Sequence, residues 1–140
     1  MANPNVDAPG DPWEPTFLTV DEVIHIHDDQ IREYGGALEV RDMGLLESAV
    51  WQPQAGFGDA FLHKTIFEMA AAYAYHITMN HPFVDGNKRA GAMAAYTFLL
   101  INGYDLDANE AEFEELVLRT ATGKCEKPEL ASFFERNCLL

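Results

Sequence analysis

Positive charge is scarce in this sequence: Lys+Arg number 9 against 23 Asp+Glu, a formal net charge of -14. Broad binding to nucleic acid or to an anionic membrane needs a basic face, so both are excluded as partners. An anionic ligand would have to be held by a local cluster of positive groups. Cysteine is scarcer still, at 2 residues. Cys125 and Cys138 cannot build a disulfide framework or a cysteine-rich zinc pattern, and they read as reduced thiols. Long apolar runs are missing too, because the longest, residues 90–101, falls short of the ~20 residues needed to span a bilayer. No basic start followed by an apolar run marks a secretory signal. Together these features predict a soluble, cytoplasmic protein. Repeats and low-complexity tracts are absent, and no period-two alternation is long enough to demand a sheet.

What is present is enough for one folded domain. The chain has 140 residues, and 48% of them are hydrophobic. Residues 1–18 carry four of the seven prolines (Pro4, Pro9, Pro12, Pro15) and no helical period, which predicts an extended arm with Trp13 and Phe17 as its anchors. Residues 19–140 form the domain proper. Thr19 with Glu22 makes a capping box, followed at helical spacing by Val20, Val23, Ile24, His27, Ile31 and Tyr34, and Gly35-Gly36 ends the run. A second helix is expected over 42–51, and residues 52–58 read as an exposed loop or short hairpin. A third helix is expected over 61–80, with Leu62, Ile66, Met69, Ala70, Tyr73 and Ile77 as its stripe, until Pro82 interrupts. The fourth, 87–101, is apolar on nearly every side and is expected to be the buried central helix. Asn109 caps a fifth helix, and Pro128 opens a sixth. The fold class is all-α: a compact bundle of about six helices with a central buried helix and one small flap or hairpin.

The chemistry concentrates in residues 81–89, His81-Pro82-Phe83-Val84-Asp85-Gly86-Asn87-Lys88-Arg89, a loop feeding the start of the fourth helix. Gly86 permits a backbone in which successive N–H groups converge on an oxyanion. The helix start adds unpaired donors and the positive end of its dipole. Lys88 and Arg89 add charge, the arginine through a fork suited to phosphate oxygens. Asp85 can hold a Mg²⁺ bridging those oxygens, and His81 is the residue type that takes a proton near neutrality. Phe83 is placed to anchor the loop in the core. These parts suffice for phosphoryl transfer, which is mostly positioning and charge stabilisation. The same residues also fit ordinary punctuation before a helix, with Asp or Asn as a cap. The concentration of His, Asp, Asn, Lys and Arg in an acidic protein favours the functional reading.

This segment resembles the signature of the Fic/Doc (filamentation/death-on-curing) family, in its Doc branch. The resemblance extends to residues 19–34, to Val40-Arg41-Asp42-Met43-Gly44-Leu45-Leu46-Glu47-Ser48-Ala49, and to Pro53-Gln54 with Phe57-Gly58, covering about residues 17–138. It implies a helical Fic fold with a small flap over the active loop. It implies His81 as general base, Asp85 as Mg²⁺ ligand, Gly86 and Asn87 as an anion nest, and Arg89 on the terminal phosphates of ATP. Members that transfer AMP have a second glycine where this chain has Lys88, and a further arginine where it has Ala92. Both departures match the Doc branch, a toxin kinase that moves the γ-phosphate to a Ser/Thr hydroxyl and arrests translation through elongation factor Tu. AMP transfer to a protein hydroxyl, and a catalytically idle binding module, are the alternatives. The family pattern also implies an antitoxin that lays a helical segment into a groove. An internal inhibitory helix is not expected, because Thr122 to Glu126 is followed by Lys127 rather than Gly or Asn.

Several residues outside this segment have ordinary structural readings. His25 and His27, two apart, do not share a helix face, and His27 reads as a core histidine. His76 with His81 and Asp85 has poor spacing for zinc. Tyr73 and Tyr75 are expected to pack, and the glutamates at 110–115 form a solvated face. Phe57 is either an exposed flap residue that touches substrate, with Gly58 beside it, or a plug returning to the core.

Overall fold

The computed structural model describes residues 14–139. In chain order it comprises α1 (Val20–Tyr34), α2 (Met43–Trp51), a 3-10 turn (Gln52–Gln54), β1 (Gly56–Phe57), β2 (Ala60–Phe61), α3 (Ile66–Asn80), α4 (Asn87–Ile101), β3 (Asp105–Leu106), α5 (Glu110–Ala121), α6 (Lys127–Asn137) and β4 (Cys138–Leu139). The architecture is helical, with only two tiny antiparallel strand pairs among the described residues. No helix among the described residues is long and apolar enough to cross a membrane. Cys125 is buried, Cys138 half-buried, and both thiols are free.

Side-chain caps set the helix starts. Thr19 Oγ1 accepts the Glu22 N–H at 3.1 Å while Glu22 Oε1 accepts the Thr19 N–H at 2.8 Å, the reciprocal capping box. Asp42 and Asn109 cap α2 and α5 through the N–H groups of Leu45 and Glu112. α3 opens at Ile66, later than the expected residue 61. Thr65 caps it by accepting the Glu68 N–H at 3.0 Å, while Ala60 and Phe61 pair instead with Phe57 and Gly56. Leu62 therefore leaves the buried stripe and is 64% exposed. A second departure is β3–β4, which no alternation announced; it registers Asp105 with Leu139 and Leu106 with Cys138. Tyr34, expected on the inward stripe of α1, is 59% exposed.

The core is centred on α3 against α4, with α6 covering α3 and α1 covering α4. Ala70, Ala71, Ala74, Ala90, Ala94 and Ala95 are all buried, and small side chains let the two backbones approach. Gly91 marks a close approach: a Cβ there would stand 2.8 Å from Thr78 Oγ1 and 3.0 Å from the Ala74 carbonyl oxygen. α4 shares the centre with α3 rather than holding it alone. Its last residues, Leu100 and Ile101, are exposed, whereas Met69 to Tyr73 of α3 are buried without a break. Upstream of α1, Phe17 stacks on Phe98 at 5.8 Å, and Leu18 donates its N–H to the Tyr73 hydroxyl at 2.8 Å. Trp13 and the prolines at 4, 9 and 12 lie outside the described residues.

Candidate functional site

α3 ends abruptly. Pro82 cannot continue a helix, and His81 adopts φ 55, ψ 51, the left-handed conformation that L residues rarely take. Two bonds from one side chain secure that turn: Arg41 donates through Nε to the His81 carbonyl at 2.7 Å and through its terminal nitrogen to the Asn80 carbonyl at 3.1 Å. The main chain of the Arg41 segment runs antiparallel beside the loop. Arg41 and Asp42 both give their N–H groups to the Pro82 carbonyl, Val84 gives its own to Glu39, and Val40 faces Phe83.

The loop itself is closed by Asn87. Its side-chain oxygen accepts the Phe83 N–H and its amide nitrogen donates to the Phe83 carbonyl, both at 2.9 Å. Both polar ends of this buried side chain are thereby spent on the loop, so what Asn87 offers a ligand is its backbone N–H. Phe83 is fully buried and lies parallel to the His27 ring, with centroids 3.7 Å apart. Gly86 has φ 78, the left-handed conformation that favours glycine, and a Cβ there would press on Ile31 Cδ1 at 3.0 Å while meeting His27 Nε2 at an ordinary contact distance of 3.5 Å.

α4 then begins with free donors. The N–H groups of Gly86, Asn87, Lys88 and Arg89 have no hydrogen-bond partner among the described residues. This is the arrangement in which a helix start binds an anion. Lys88 is exposed. Arg89 leans toward the end of α1, its guanidinium 5.2 Å from the Tyr34 ring centroid and 3.4 Å from the Gly35 carbonyl oxygen. Asp85 is exposed, with Oδ2 accepting the Ala37 N–H at 3.0 Å. Gly36 makes room for it, since a Cβ on Gly36 would lie 3.2 Å from Asp85 Cβ. A single exposed carboxylate beside unpaired N–H donors fits a Mg²⁺ held jointly by protein and phosphate oxygens, and it does not fit a cage of protein ligands. No group of three His, Cys, Asp or Glu among the described residues is placed to hold a metal.

These observations bring His81, Phe83, Asp85, Gly86, Asn87, Lys88 and Arg89 onto one loop and helix start. The sequence model of the Fic/DOC family matches residues 17–99, more than half of the chain. The chain belongs to the Fic/DOC family. It is 41% identical over 101 residues to Toxin Doc of Mycolicibacterium smegmatis, a match spanning 71% of this chain and 78% of that one. It is 31% identical over 120 residues to the protein kinase doc of Escherichia phage P1, spanning 85% of this chain and 93% of that one.

Other candidates fall outside this Fic/DOC loop. Phe57 is 92% exposed at the tip of the β1–β2 hairpin, next to Gly58 at φ 54, so it is not a core plug. His25 is exposed and His27 fully buried, on opposite sides of α1. His76 belongs to a different cluster: Lys127 Nζ lies 3.0 Å from His76 Nε2 and 3.3 Å from His63 Nε2, at the edge of a cavity of about 390 Å³ between the start of α3 and α6. Burial and the neighbouring ammonium push His76 down to about 4 and lower His63 as well. Sequence reasoning read Gly35-Gly36 as the end of a helix and Val40-Arg41-Asp42 as part of the family resemblance, and gave neither a place against the loop, just as it gave His27 no place beneath it. The doubled glycine was the available signal, because one suffices to end a helix.

Proposed function

We propose that this chain is a Doc-type toxin kinase, which moves the γ-phosphate of ATP to a Ser/Thr hydroxyl of a protein. The observation that carries this reading is the likeness, over 85% of the chain, to a protein named as a kinase. The other relative is named as a toxin. Lys88 adds physical support, since its side chain occupies a position where members that transfer AMP carry glycine. The expected target is translation elongation factor Tu, and the expected partner is an antitoxin whose helical segment enters a groove beside the loop, with apolar anchors at helical spacing.

In this reading the free N–H groups of Gly86 to Arg89 receive phosphate oxygens, and the Arg89 guanidinium swings from Gly35 onto the terminal phosphates. Asp85 would hold Mg²⁺, which would supply charge neutralisation on the phosphate oxygens. His81 accepts the proton of the attacking hydroxyl. The hydroxyl oxygen forms a bond to the γ-phosphorus, the bond from that phosphorus to the β–γ bridging oxygen breaks, and ADP leaves. The test is incubation with elongation factor Tu and ATP labelled separately at the α- and γ-phosphates. Label from γ on the target is expected. Label from α would make the protein an AMP transferase, and no label from either would leave a binding module.

A further inference from the structure

We infer that His27, on α1 and outside the signature loop, is a positioning residue that sets the polarity of the phosphate-binding backbone. The inference rests on the kinase reading for its consequence but on geometry for its content. His27 is fully buried, and its Nε2 lies 2.7 Å from the Asp85 carbonyl oxygen. A carbonyl only accepts, so Nε2 carries the proton and donates. Its other ring nitrogen, Nδ1, is buried without a hydrogen-bond partner; the Asp28 carboxylate stands 3.9 Å from it, beyond hydrogen-bond distance, so the Nε2 bond is the short directional contact that orients the ring. The parallel face of Phe83, 3.7 Å away, fixes the ring plane.

The consequence follows from the planarity of the next peptide. In a trans peptide the C=O and the following N–H point in opposite directions, and the described chain has no cis bonds. Drawing the Asp85 oxygen inward to His27 therefore aims the Gly86 N–H outward, toward the same side as the free donors of α4. That peptide is the one in the loop most able to turn over, because Gly86 has no side chain to resist a different backbone conformation. A flipped peptide would present a carbonyl oxygen where a phosphate oxygen has to sit. His27 selects against that flip by giving the inward carbonyl its only hydrogen bond among the described residues.

The test compares the full-length wild type with His27→Phe, which keeps a ring against Phe83 but has no donor, and with His27→Gln, whose side-chain N–H can reach the same carbonyl. Without nucleotide, the Gly86 and Asn87 amide signals in a ¹H–¹⁵N spectrum are expected to split or broaden in H27F and to remain single in H27Q. With Mg-ATP, the KM of H27F should rise roughly tenfold, the scale of one lost buried hydrogen bond, with kcat near the wild-type value; H27Q should recover most of that loss. His27→Met, of similar volume and also without a donor, replaces H27F if that variant does not fold. An unchanged, single Gly86 signal in the donorless variant, or equal KM increases in H27F and H27Q, would overturn the assignment. If the wild type transfers nothing from ATP, the kinase reading fails while the amide spectra still decide the role of His27.

Discussion

Replacing Asn87 with alanine tests whether the loop is a built structure or a passive connection. Asn87 is 4% exposed and Phe83 is fully buried, and the two hydrogen bonds between them are each 2.9 Å long. The Phe83 N–H and C=O have no other partner among the described residues. Asn87→Ala therefore orphans one donor and one acceptor, at about 1–3 kcal/mol each. The space left by the side chain can admit a water, so the expected loss is about 2–4 kcal/mol. A domain of this size is typically stable by about 5–15 kcal/mol, so the variant should still fold at 25 °C. Urea denaturation with an unchanged m-value is the assay. Asn87→Asp sharpens the test, because it keeps an acceptor for the Phe83 N–H but sets a carboxylate oxygen against the Phe83 carbonyl. Protonation restores the donor, so the folded state raises the pKa of the introduced carboxyl, and its penalty is smallest at low pH and grows as pH rises. A loss below about 0.5 kcal/mol in N87A, or an N87D penalty independent of pH, would refute the clamp.

Three further outcomes are expected. Gly91→Ala gains up to ~1 kcal/mol of helix propensity, but its Cβ would press on Thr78 and the Ala74 carbonyl, so urea melts should show a net destabilisation. His76, held near 4 in the fold against about 6.5 unfolded, binds its proton more readily when unfolded; its contribution is full above 6.5 and lost as pH falls from 6.5 toward 4, by about 1–2 kcal/mol after allowance for partial exposure, and His76→Gln should show a correspondingly shallower acid loss in denaturation midpoints. His81→Ala should lower γ-phosphate transfer by ~10²- to 10⁴-fold with Mg-ATP affinity retained in calorimetry, and equal transfer rates would remove His81 from the role of base.

The helices were legible because they are written in local signals. Thr19 with Glu22, Asp42, Asn109 and Pro128 mark starts that the structure keeps to within a residue or two. α3 misled because Leu62 continues the apolar period beyond the true cap at Thr65, and only the pairing of Ala60-Phe61 with Gly56-Phe57 decides the matter. The β3–β4 pair was illegible because two-residue strands have no period to read and depend on contacts between distant parts of the chain. The loop at 81–89 stood out through its composition, whereas the residues that grip it did not. Arg41 acts on carbonyls about forty residues away, and His27 on one fifty-eight residues away, each by folding rather than by spacing.

In the proposed reading an acidic chain holds a polyanion, and the way the loop is gripped makes that possible. The carbonyl oxygens of His81, Pro82, Phe83, Asp85 and Gly86 are each taken by a donor of the protein: the Arg41 side chain, the Arg41 and Asp42 N–H groups, the Asn87 amide, the His27 ring and the Ala90 N–H. The N–H groups of Gly86 to Arg89 have no such partner among the described residues. Five of the loop's acceptors are therefore neutralised by hydrogen bonds within the protein, and four consecutive donors are left without one among the described residues. Against a net charge of -14, two cationic side chains on the loop would be a modest attraction by themselves. A row of aligned N–H dipoles at short range adds an attraction that distant surface carboxylates, screened beyond about 10 Å of salt solution, do little to oppose. In the proposed reading, affinity for phosphate depends less on how much positive charge the sequence carries than on how completely the loop's own carbonyls are tied down, so losing one bond at His27 or Asn87 should matter more than losing one surface charge.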